Sequence, residues 1–400
     1  EMKKGHVTII GSGRSGRGML GELYDADDFS ITFADIRPDL VEGLKKQGYY
    51  TVQMTDLNCH DVKERIIRGF DVVDVKKERD RYLKEMIHSD FVSTALLPKD
   101  FDAVIEDLVA AVRLRREEGL LTPFFITLGA NYVGLYEYFD SHIRAKLESS
   151  DLEYYEQYVH LLMSIVNRKN LLPPEEERKG DLYRIIGDNK PVLRVEKDQK
   201  LSQCKNLPTF FRLEENLGAA MAIKIWTGNL VQCSMAFVAL RDGITDSYHA
   251  SLHKKASEFA YYASVEGYQA VAEEYGLPPR DNKKMVTIFR NPEFADSLYR
   301  IVREPIRKLG RNDRFIGPAL CCMKHGILPY YITKCLAYGF CFWREEDPDS
   351  VMLHQFIETN GIEKAIIHFC QLDLDKKDEK IIYDLILNAY RELDSKDPLE

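Results

Sequence analysis

A β-branched apolar run near the N-terminus breaks into a glycine-rich turn with the order Gly11-Ser12-Gly13-Arg14-Ser15-Gly16. A second apolar run, Ile31-Thr32-Phe33-Ala34, ends in Asp35, 24 residues after Gly11. A strand, a G-x-G-x-x-G turn, a helix and an acidic strand end together specify the first βαβ unit of a parallel sheet. The chain is therefore expected to begin with an α/β domain of the Rossmann type.

Each glycine of this turn has its own mechanical role in holding a dinucleotide. Gly11 allows the tight turn, Gly13 lets backbone N–H groups approach a pyrophosphate, and Gly16 lets the next helix pack on the strand. Asp35 would accept hydrogen bonds from the adenosine ribose and repel a 2′-phosphate, which predicts NAD as the cofactor rather than NADP. The neighbouring Arg37 weakens that preference, since an arginine there could meet a 2′-phosphate.

Composition narrows the class of protein. The 400 residues suffice for two domains, and 45% hydrophobic with 30% charged residues is typical of soluble globular chains. A net charge of −9 argues against nucleic acid as a partner, and no apolar run approaches the length of a membrane span. The N-terminal apolar run is too short for a signal peptide, and the eight cysteines lack CxxC or zinc spacing. These features predict a cytoplasmic protein with reduced thiols.

Strand-like and helix-like segments alternate in the first half of the chain. Predicted strands at 91–95 and 124–128 each run into a loop, and Asn131 follows the second of them. From about residue 215 the pattern is helical, with predicted helices at 215–240, 247–275, 293–308, 316–338, 349–360 and 376–393. We therefore expect an NAD-binding domain over residues 1–200, an all-α substrate and catalytic domain over residues 201–400, and a site in the cleft between them.

The first long helix of the second half carries Lys224, Asn229 and Gln232 within an otherwise apolar sequence. At about 100° per residue the three side chains share one side of the helix. Burial would lower the pKa of Lys224 toward a value useful for proton abstraction, and an amide of Asn229 can donate to an oxygen that gains negative charge. The alternative is a snorkelling lysine beside two packing amides.

A basic segment lies between residues 300 and 314. Arg303 and Arg307 are four residues apart and share a helix face, so together they could grip a phosphate or a carboxylate. The alternative is a solvated helix face. His249 and His253 also have i, i+4 spacing, but no carboxylate motif accompanies them, so no metal site is predicted.

The order Lys-x4-Asn at Lys224 and Asn229, downstream of a nucleotide-binding domain, resembles the polyol-specific long-chain dehydrogenases. Most similar is their short, phosphate-using branch. The resemblance also covers the opening turn, the loop at Thr94, Ala95 and Pro98, Ala130-Asn131, Arg303–Leu309, Asp313-Arg314 and Gly326–Pro329. It implies a metal-independent NAD(H) oxidoreductase that interconverts a polyol, foremost a hexitol phosphate such as mannitol 1-phosphate, and the corresponding ketose.

The resemblance also implies roles for individual residues. Lys224 matches the general acid/base, while Asn229 and Asn131 match the residues that hold the reacting oxygens. The cofactor-binding positions are Gly11, Gly13, Gly16, Arg17, Asp35, Thr94, Ala95 and Asn131. The substrate-binding positions are Asn167, Arg168, Gln232, Arg303 and Arg307, with Arg307 the first choice for substrate contact.

Three positions depart from the family pattern. Gln232 replaces a histidine, Asn167 replaces an aspartate, and Gly317 replaces a lysine. An amide can hydrogen-bond but cannot share a proton near neutral pH. The departures predict an altered substrate, with a sugar acid or an unphosphorylated polyol as the alternatives. A non-catalytic NAD-binding sensor is the alternative from another class, although the retained Lys224 and Asn229 favour an enzyme. The oligomeric state stays open.

Overall fold

The computed structural model describes residues 2–55, 61–292 and 295–394. The chain divides into two compact units, Glu1–Gly218 and Ala219–Glu400. The expected boundary near residue 200 lies ahead of this division. A further strand, Phe211–Glu214, pairs in parallel with Leu193–Glu196 and so extends the sheet of the first unit.

The first unit contains twelve strands among its described residues. They are β1 (Gly5–Ile10), β2 (Phe29–Asp35), β3 (Tyr49–Thr55), β4 (Val62–Arg68), β5 (Asp71–Asp74), β6 (Phe91–Thr94), β7 (Phe124–Gly129), β8 (Val159–Ile165), β9 (Asn170–Leu171), β10 (Ile185–Asp188), β11 (Leu193–Glu196) and β12 (Phe211–Glu214). Eight of them form one sheet in the order β12-β11-β8-β7-β6-β1-β2-β5. Neighbours in this sheet run parallel, except β11 against β8.

The carboxyl end of β1 lies between the ends of β2 and β6, because β1 pairs with both strands. From β1 the chain continues to β2 on one side of the sheet and later returns to β6 on the other side. Open parallel sheets bind their ligands at such a reversal of strand order. The apolar run of β7 is buried along its whole length, as expected for a central parallel strand covered on both faces. The glycine-rich turn therefore lies where a doubly wound sheet places a nucleotide.

A second sheet, in the order β4-β3-β10-β9, was not predicted. Its β4 is mostly solvent-exposed and mixes charged with apolar residues, so it lacks the clean alternation that reveals a strand. Asp181, in the polar stretch after residue 173, accepts hydrogen bonds from the backbone N–H of Thr51 (2.6 Å) and the side chain of Gln47 (2.7 Å). These hydrogen bonds tie the polar stretch to β3 and to Gln47, shortly before that strand, within the first unit.

Helices cover the large sheet and build the second unit. The first unit contains α1 (Glu22–Ala26), α2 (Pro38–Gln47), α3 (Arg79–His88), α4 (Phe101–Glu117), α5 (Leu135–Lys146), α6 (Ser149–Tyr158) and α7 (Gln199–Ser202). Then follow α8 (Leu217–Ile223), α9 (Leu230–Arg241), α10 (Ser247–Leu252), α11 (Lys254–Tyr275), α12 (Lys284–Thr287), α13 (Leu298–Val302), α14 (Pro305–Lys308), α15 (Ile316–Lys324), α16 (Tyr330–Cys341), α17 (Pro348–Asn360), α18 (Ile362–Cys370) and α19 (Lys377–Asp394). The predicted fold class, a Rossmann-type domain followed by an all-α domain, is confirmed.

Several predicted long helices are divided in the structure. The pattern at 316–338 forms α15 and α16, separated by a turn that ends in Pro329. The pattern at 293–308 forms α13 and α14, with Pro305 opening the second, while Glu293 and Phe294 lie outside the described residues. Proline lacks the N–H that a helix interior needs, so both breaks occur where the sequence carries one.

The helix over residues 217–241 is long and apolar enough, by composition, to cross a membrane. Most of its apolar window is buried inside the protein, and α9 packs against α11 and α16. This arrangement is that of a core helix. The seven cysteines that the structure describes form no disulfide bond with one another, and five of them are buried, while Cys59 lies outside the described residues. Cytoplasmic location stays a prediction.

Candidate active site

The glycine-rich turn leaves no room for side chains at two of its glycines. Gly11 has φ +93°, and a Cβ on it would lie 2.7 Å from the Ala95 carbonyl oxygen. A Cβ on Gly16 would overlap the carbonyl oxygen of Gly11. The turn can close against β6 only because both residues lack side chains. The helix after the turn opens with a π-helical segment, Gly16–Gly21, before α1.

A cavity of about 490 Å³ lies at the carboxyl ends of β1, β2, β6 and β7. Its lining includes six of the eight predicted cofactor positions, namely Gly11, Gly13, Gly16, Asp35, Ala95 and Asn131. A glycine cradle at one side and a carboxylate at a strand end match the pyrophosphate and ribose of a dinucleotide. The residues present therefore fit this group.

Asp35 is buried and holds a dense set of hydrogen bonds. The backbone N–H and the hydroxyl of Ser12 donate to Oδ2, each at 2.9 Å. Arg37 donates from its backbone to Oδ1 (3.0 Å) and from its guanidinium to both oxygens at 2.8 Å. Burial alone would raise the pKa of Asp35, but these donors outweigh it and lower the pKa to about 2. The carboxylate stays ionised, and the Arg37 guanidinium lies directly on it.

Two predicted cofactor positions serve the fold rather than line the cavity. Arg17 is buried, donates to the Ser12 carbonyl, and lies near the rings of Tyr50 and Tyr183. The Thr94 hydroxyl donates to the Thr127 carbonyl at 3.0 Å and accepts from a backbone N–H at the end of β7. Both side chains brace the loops that form the cavity, so we reassign them to supporting roles.

The two predicted substrate positions after β8 have different surroundings. The Arg168 side chain is fully buried and donates to the Gly18 carbonyl (2.8 Å), Glu22 (3.0 Å) and the Lys190 carbonyl (2.8 Å). A guanidinium that is committed to three protein acceptors has a structural role. Asn167 is half-buried, and its side-chain oxygen has no hydrogen-bond partner among the described residues.

The candidate catalytic residues of the second unit lie on one interrupted helix. Between α8 and α9, Lys224–Asn229 forms a π-helical segment. Its hydrogen bonds join residues five apart, which brings Lys224 and Asn229 closer to one face than α-helical geometry would. Lys224, Asn229 and Gln232 are half-buried, whereas Ile225, Thr227 and Leu230 between them are buried. This face is thus both polar and partly accessible, and π-segments are frequent at functional sites.

Trp226 accounts for the glycine at position 317. A Cβ on Gly317 would overlap the Trp226 indole nitrogen and lie 2.8 Å from its Cε2 atom. A Cβ on Gly267 would lie 2.5 Å from the Trp226 carbonyl oxygen. Trp226 of the π-segment therefore packs against a glycine of α11 on one side and a glycine of α15 on the other. The indole occupies the space that a side chain at position 317 would need.

Gly317→Ala is expected to lower stability by about 1–3 kcal/mol, because the rigid indole must move to admit a methyl group. The melting temperature would measure this loss. In a Trp343→Phe background, Trp226 is the sole tryptophan, and its fluorescence should shift with Gly317→Ala. Gly228→Ala is the matched control, since its Cβ would come no closer than 3.8 Å to the Ile223 carbonyl. Equal melting temperatures for the two variants would contradict this packing.

The basic segment lies against the same helix. The Cys233 thiol donates to the Ile301 carbonyl (3.7 Å), and Arg314 donates to the Cys233 sulfur (3.5 Å). Lys308 is buried, where it donates to the Ile301 carbonyl at 2.6 Å, and burial lowers its pKa to about 8. Arg300 and Arg311 form ion pairs with Asp296 and Glu379.

Arg303 and Arg307 differ from the other cations of this segment. Both are exposed, and the Arg307 side chain makes only long contacts, 3.7 Å to Glu304 and 3.8 Å to Asp313. Within residues 300–314 these two guanidiniums therefore retain the most capacity to bind an anion.

Three histidines of the second unit each pair with a carboxylate. His249 lies 2.6 Å from Asp246, His253 lies 3.0 Å from Asp242, and His325 lies 2.6 Å from Glu274. Glu274, Cys321 and His325 place ligand atoms within 4.8 Å of one another, but Lys324 also binds Glu274, at 2.7 Å. Ion pairs account for these clusters.

Tyr82 and Asp107 line the cavity and were missed by the sequence reasoning. Asp107 lies on α4, four residues after Ala103 and three residues after Val104. The three side chains therefore share the face of α4 that lines the cavity. A carboxylate that follows the apolar residues Val104 and Ile105 at helical spacing was the signal that could have revealed it.

Two family models match the chain. Residues 6–186 match the mannitol dehydrogenase Rossmann domain, and residues 235–360 match the mannitol dehydrogenase C-terminal domain. Mannitol-1-phosphate 5-dehydrogenase of Geobacillus stearothermophilus is 25% identical over 373 residues, which cover 92% of this chain and 95% of the relative.

Two solved structures share the fold. The first is Pseudomonas fluorescens mannitol 2-dehydrogenase in a ternary complex with NAD and D-mannitol, with a TM-score of 0.70 and 14% identity over 98% of this chain and 92% of that one. The second is D-sorbitol dehydrogenase in its substrate-free form, with a TM-score of 0.65 and 11% identity over 97% of this chain and 93% of that one.

Proposed function

The chain belongs to the mannitol dehydrogenase family, and from this premise we propose that it is an NAD(H)-dependent oxidoreductase acting on a polyol and its ketose. The observation that carries the proposal is the π-segment Lys224–Asn229, which interrupts a core helix and leaves a lysine and two amides on its partly accessible side. Such an interruption weakens a core helix, so a functional role for the segment is the best explanation.

Bound NAD would accept a hydride from the carbinol carbon of the polyol. Gly11, Gly13 and Gly16 would hold its pyrophosphate, and Asp35 its adenosine ribose. In the oxidation direction, neutral Lys224 takes the proton of the secondary hydroxyl, and the product is a ketone. In reduction, the Lys224 ammonium returns that proton, while amides of Asn229 and Asn131 donate to the oxygen as negative charge develops.

For the substrate we propose a hexitol phosphate or a close relative. The exposed guanidiniums of Arg303 and Arg307 suit a phosphate or a carboxylate, and the relative of similar length is a mannitol-1-phosphate 5-dehydrogenase. Gln232, Asn167 and Gly317 favour a substrate other than mannitol 1-phosphate itself. The Trp226 indole fills the space beside Gly317, so no cationic side chain can extend from residue 317. This favours an unphosphorylated polyol as the second candidate.

A panel of hexitol phosphates, ketose phosphates, free polyols and hexuronates, followed at the NADH absorbance band, tests the proposal. We expect turnover of one class and poor turnover of mannitol 1-phosphate and fructose 6-phosphate. Gln232→His alone is not expected to restore these two substrates. Efficient turnover of mannitol 1-phosphate, with kcat/KM of about 10⁴ M⁻¹s⁻¹ or more, would show that the three departures do not alter specificity. If no substrate is turned over while NADH still binds, the result would support the alternative that the chain is a non-catalytic NAD-binding sensor.

Cofactor preference tests the role of Asp35. NADH is expected to bind about tenfold or more tightly than NADPH, because the ionised carboxylate repels a 2′-phosphate. Asp35→Ala should relax the preference. Arg37→Ala should strengthen it, since the guanidinium that now neutralises Asp35 at 2.8 Å would be gone. Fluorescence titrations of both cofactors would measure the ratio. Equal binding of NADPH by the unmodified protein would refute the assignment.

A further inference from the structure

The strand β4 forms one edge of the small sheet. All seven of its residues pair with β3, and no strand of the described residues pairs with its other side. The opposite edge of the sheet, β9, has only two residues. A strand that is bonded on one side directs alternate backbone N–H and C=O groups outward, where another strand can add. β4 is therefore the long edge at which this sheet can continue.

Alternate side chains of β4 lie on the outer face of the small sheet. This set, Val62, Glu64, Ile66 and Arg68, is exposed, whereas Ile67 points to the inner face and is buried. The exposed fractions of Val62 and Ile66 are 57% and 51%. Exposed β-branched side chains on a long edge strand promote pairing with another strand. The edge thus combines open backbone groups with open apolar side chains.

The charges on this outer face retain capacity for a partner. Arg68 forms no ion pair among the described residues, and its guanidinium lies 5.0 Å from the centre of the Tyr49 ring. Glu64 accepts a hydrogen bond from Arg184 and lies 3.6 Å from Lys179. A carboxylate can accept about four hydrogen bonds, so Glu64 can also accept from a further guanidinium. A cation and a carboxylate therefore lie four residues apart on one strand face.

A second copy of this chain complements that pattern. In an antiparallel pair of β4 strands with a two-fold axis at Ile66, this residue lies opposite its own copy. Glu64 of each copy then lies opposite Arg68 of the other. An apolar pair flanked by two oppositely charged pairs stabilises a sheet. With the outer faces of both copies on the same side, an axis at Arg65 or at Glu64 would instead place like charges directly opposite each other.

We propose that β4 is a homodimer interface, in which two copies of the chain join their small sheets edge to edge with Ile66 at the two-fold axis. This inference goes beyond the proposed oxidoreductase function and does not depend on it. Residues 64–68 of each copy pair in this register. Because so short a strand pair buries less surface than a standard interface, the dimer should exchange with monomer at micromolar concentrations.

Analytical ultracentrifugation of the full-length chain, from about 1 to 100 µM, measures this equilibrium. We expect the fraction of dimer to rise across the range. Arg68→Glu should raise the dissociation constant about tenfold or more, because a carboxylate then faces Glu64 in both flanking pairs. Lys63→Glu is the matched control, since it makes the same charge change on an exposed residue of β4 that lies opposite Gly69. It should leave the dissociation constant within about threefold.

A disulfide cross-link tests the register itself. Paired residues on antiparallel strands have the Cα spacing at which a disulfide forms, so Ile66→Cys should give a covalent dimer on mild oxidation. Val62→Cys is the control, because it is similarly exposed on the same face, yet residues 62 of the two copies would lie about 27 Å apart. Unmodified protein oxidised in parallel gives the background from its own cysteines. Non-reducing gel electrophoresis separates the products.

Three results would overturn the inference. The first is a chain that stays monomeric up to about 100 µM. The second is a dimer that Arg68→Glu leaves intact, since association would then use another surface. The third is a covalent dimer that forms no more readily with Ile66→Cys than with Val62→Cys. Both side chains are exposed, so both variants should keep the melting temperature of the unmodified protein, which shows that they fold.

Discussion

Gly16→Ala is expected to lower the affinity for NADH on the order of 10²-fold. A Cβ at this position would overlap the carbonyl oxygen of Gly11, which is backbone and cannot rotate away. The turn must open to admit it, and the backbone N–H groups that would hold a pyrophosphate then move apart. Fluorescence or calorimetric titration with NADH measures the loss directly.

Gly5→Ala is the matched control for general destabilisation. Its Cβ would also be crowded, at 2.7 Å from Phe29, but Gly5 begins β1 and does not line the cavity. We expect Gly5→Ala to lower the melting temperature and to leave NADH affinity within about threefold of the unmodified protein. Near-normal NADH binding by Gly16→Ala would show that the glycine cradle is not the pyrophosphate site.

Lys224→Ala is expected to lower kcat on the order of 10²-fold or more, with NADH affinity unchanged. Without the amine, no group on the π-segment can take the hydroxyl proton in oxidation, because the neighbouring Asn229 and Gln232 are amides. The oxidation rate of the unmodified protein should rise with pH as the lysine loses its proton, and this rise should disappear in the variant.

A small primary amine added to Lys224→Ala should restore part of the rate, since it can supply the missing base from solution. A lysine that only supports the helix would not be replaced in this way. Lys254→Ala is the control, because Lys254 is exposed at the start of α11. Wild-type turnover by Lys224→Ala on the best substrate of the panel would contradict the general-base role.

Local sequence sufficed for the nucleotide cradle. The roles of Gly11 and Gly16 depend on a turn only a few residues long, and the structure leaves no space for a side chain at either. Asp35 was likewise predictable, because a strand end after a G-x-G-x-x-G turn has a fixed relation to that turn. The local sequence did not predict that the Arg37 guanidinium donates to both carboxylate oxygens of Asp35.

The structure changes the expectation where a residue's partners are distant in the sequence. Arg168 matched a substrate position, yet its acceptors include Glu22, 146 residues away in the sequence. The division into two units lies after Gly218 rather than near residue 200, since β12 joins the sheet of the first unit through its pairing with β11. Around the axis of a regular α-helix, Lys224 and Asn229 would point farther apart than they do in the π-segment. The hydrophobic periodicity of a sequence does not reveal such a segment.

Hydride transfer between NAD(H) and a polyol–ketose pair, as we propose for this chain, can be followed directly with a deuterium label. The most direct measurement incubates the unmodified protein with ketoses of the panel and NADH that carries deuterium at both C4 positions of the nicotinamide, followed by mass spectrometry of the products. We expect one polyol product with a single deuterium on its new carbinol carbon, and a large loss of that product with Lys224→Ala. Bound NADH with no deuterated product from any ketose would contradict the proposal.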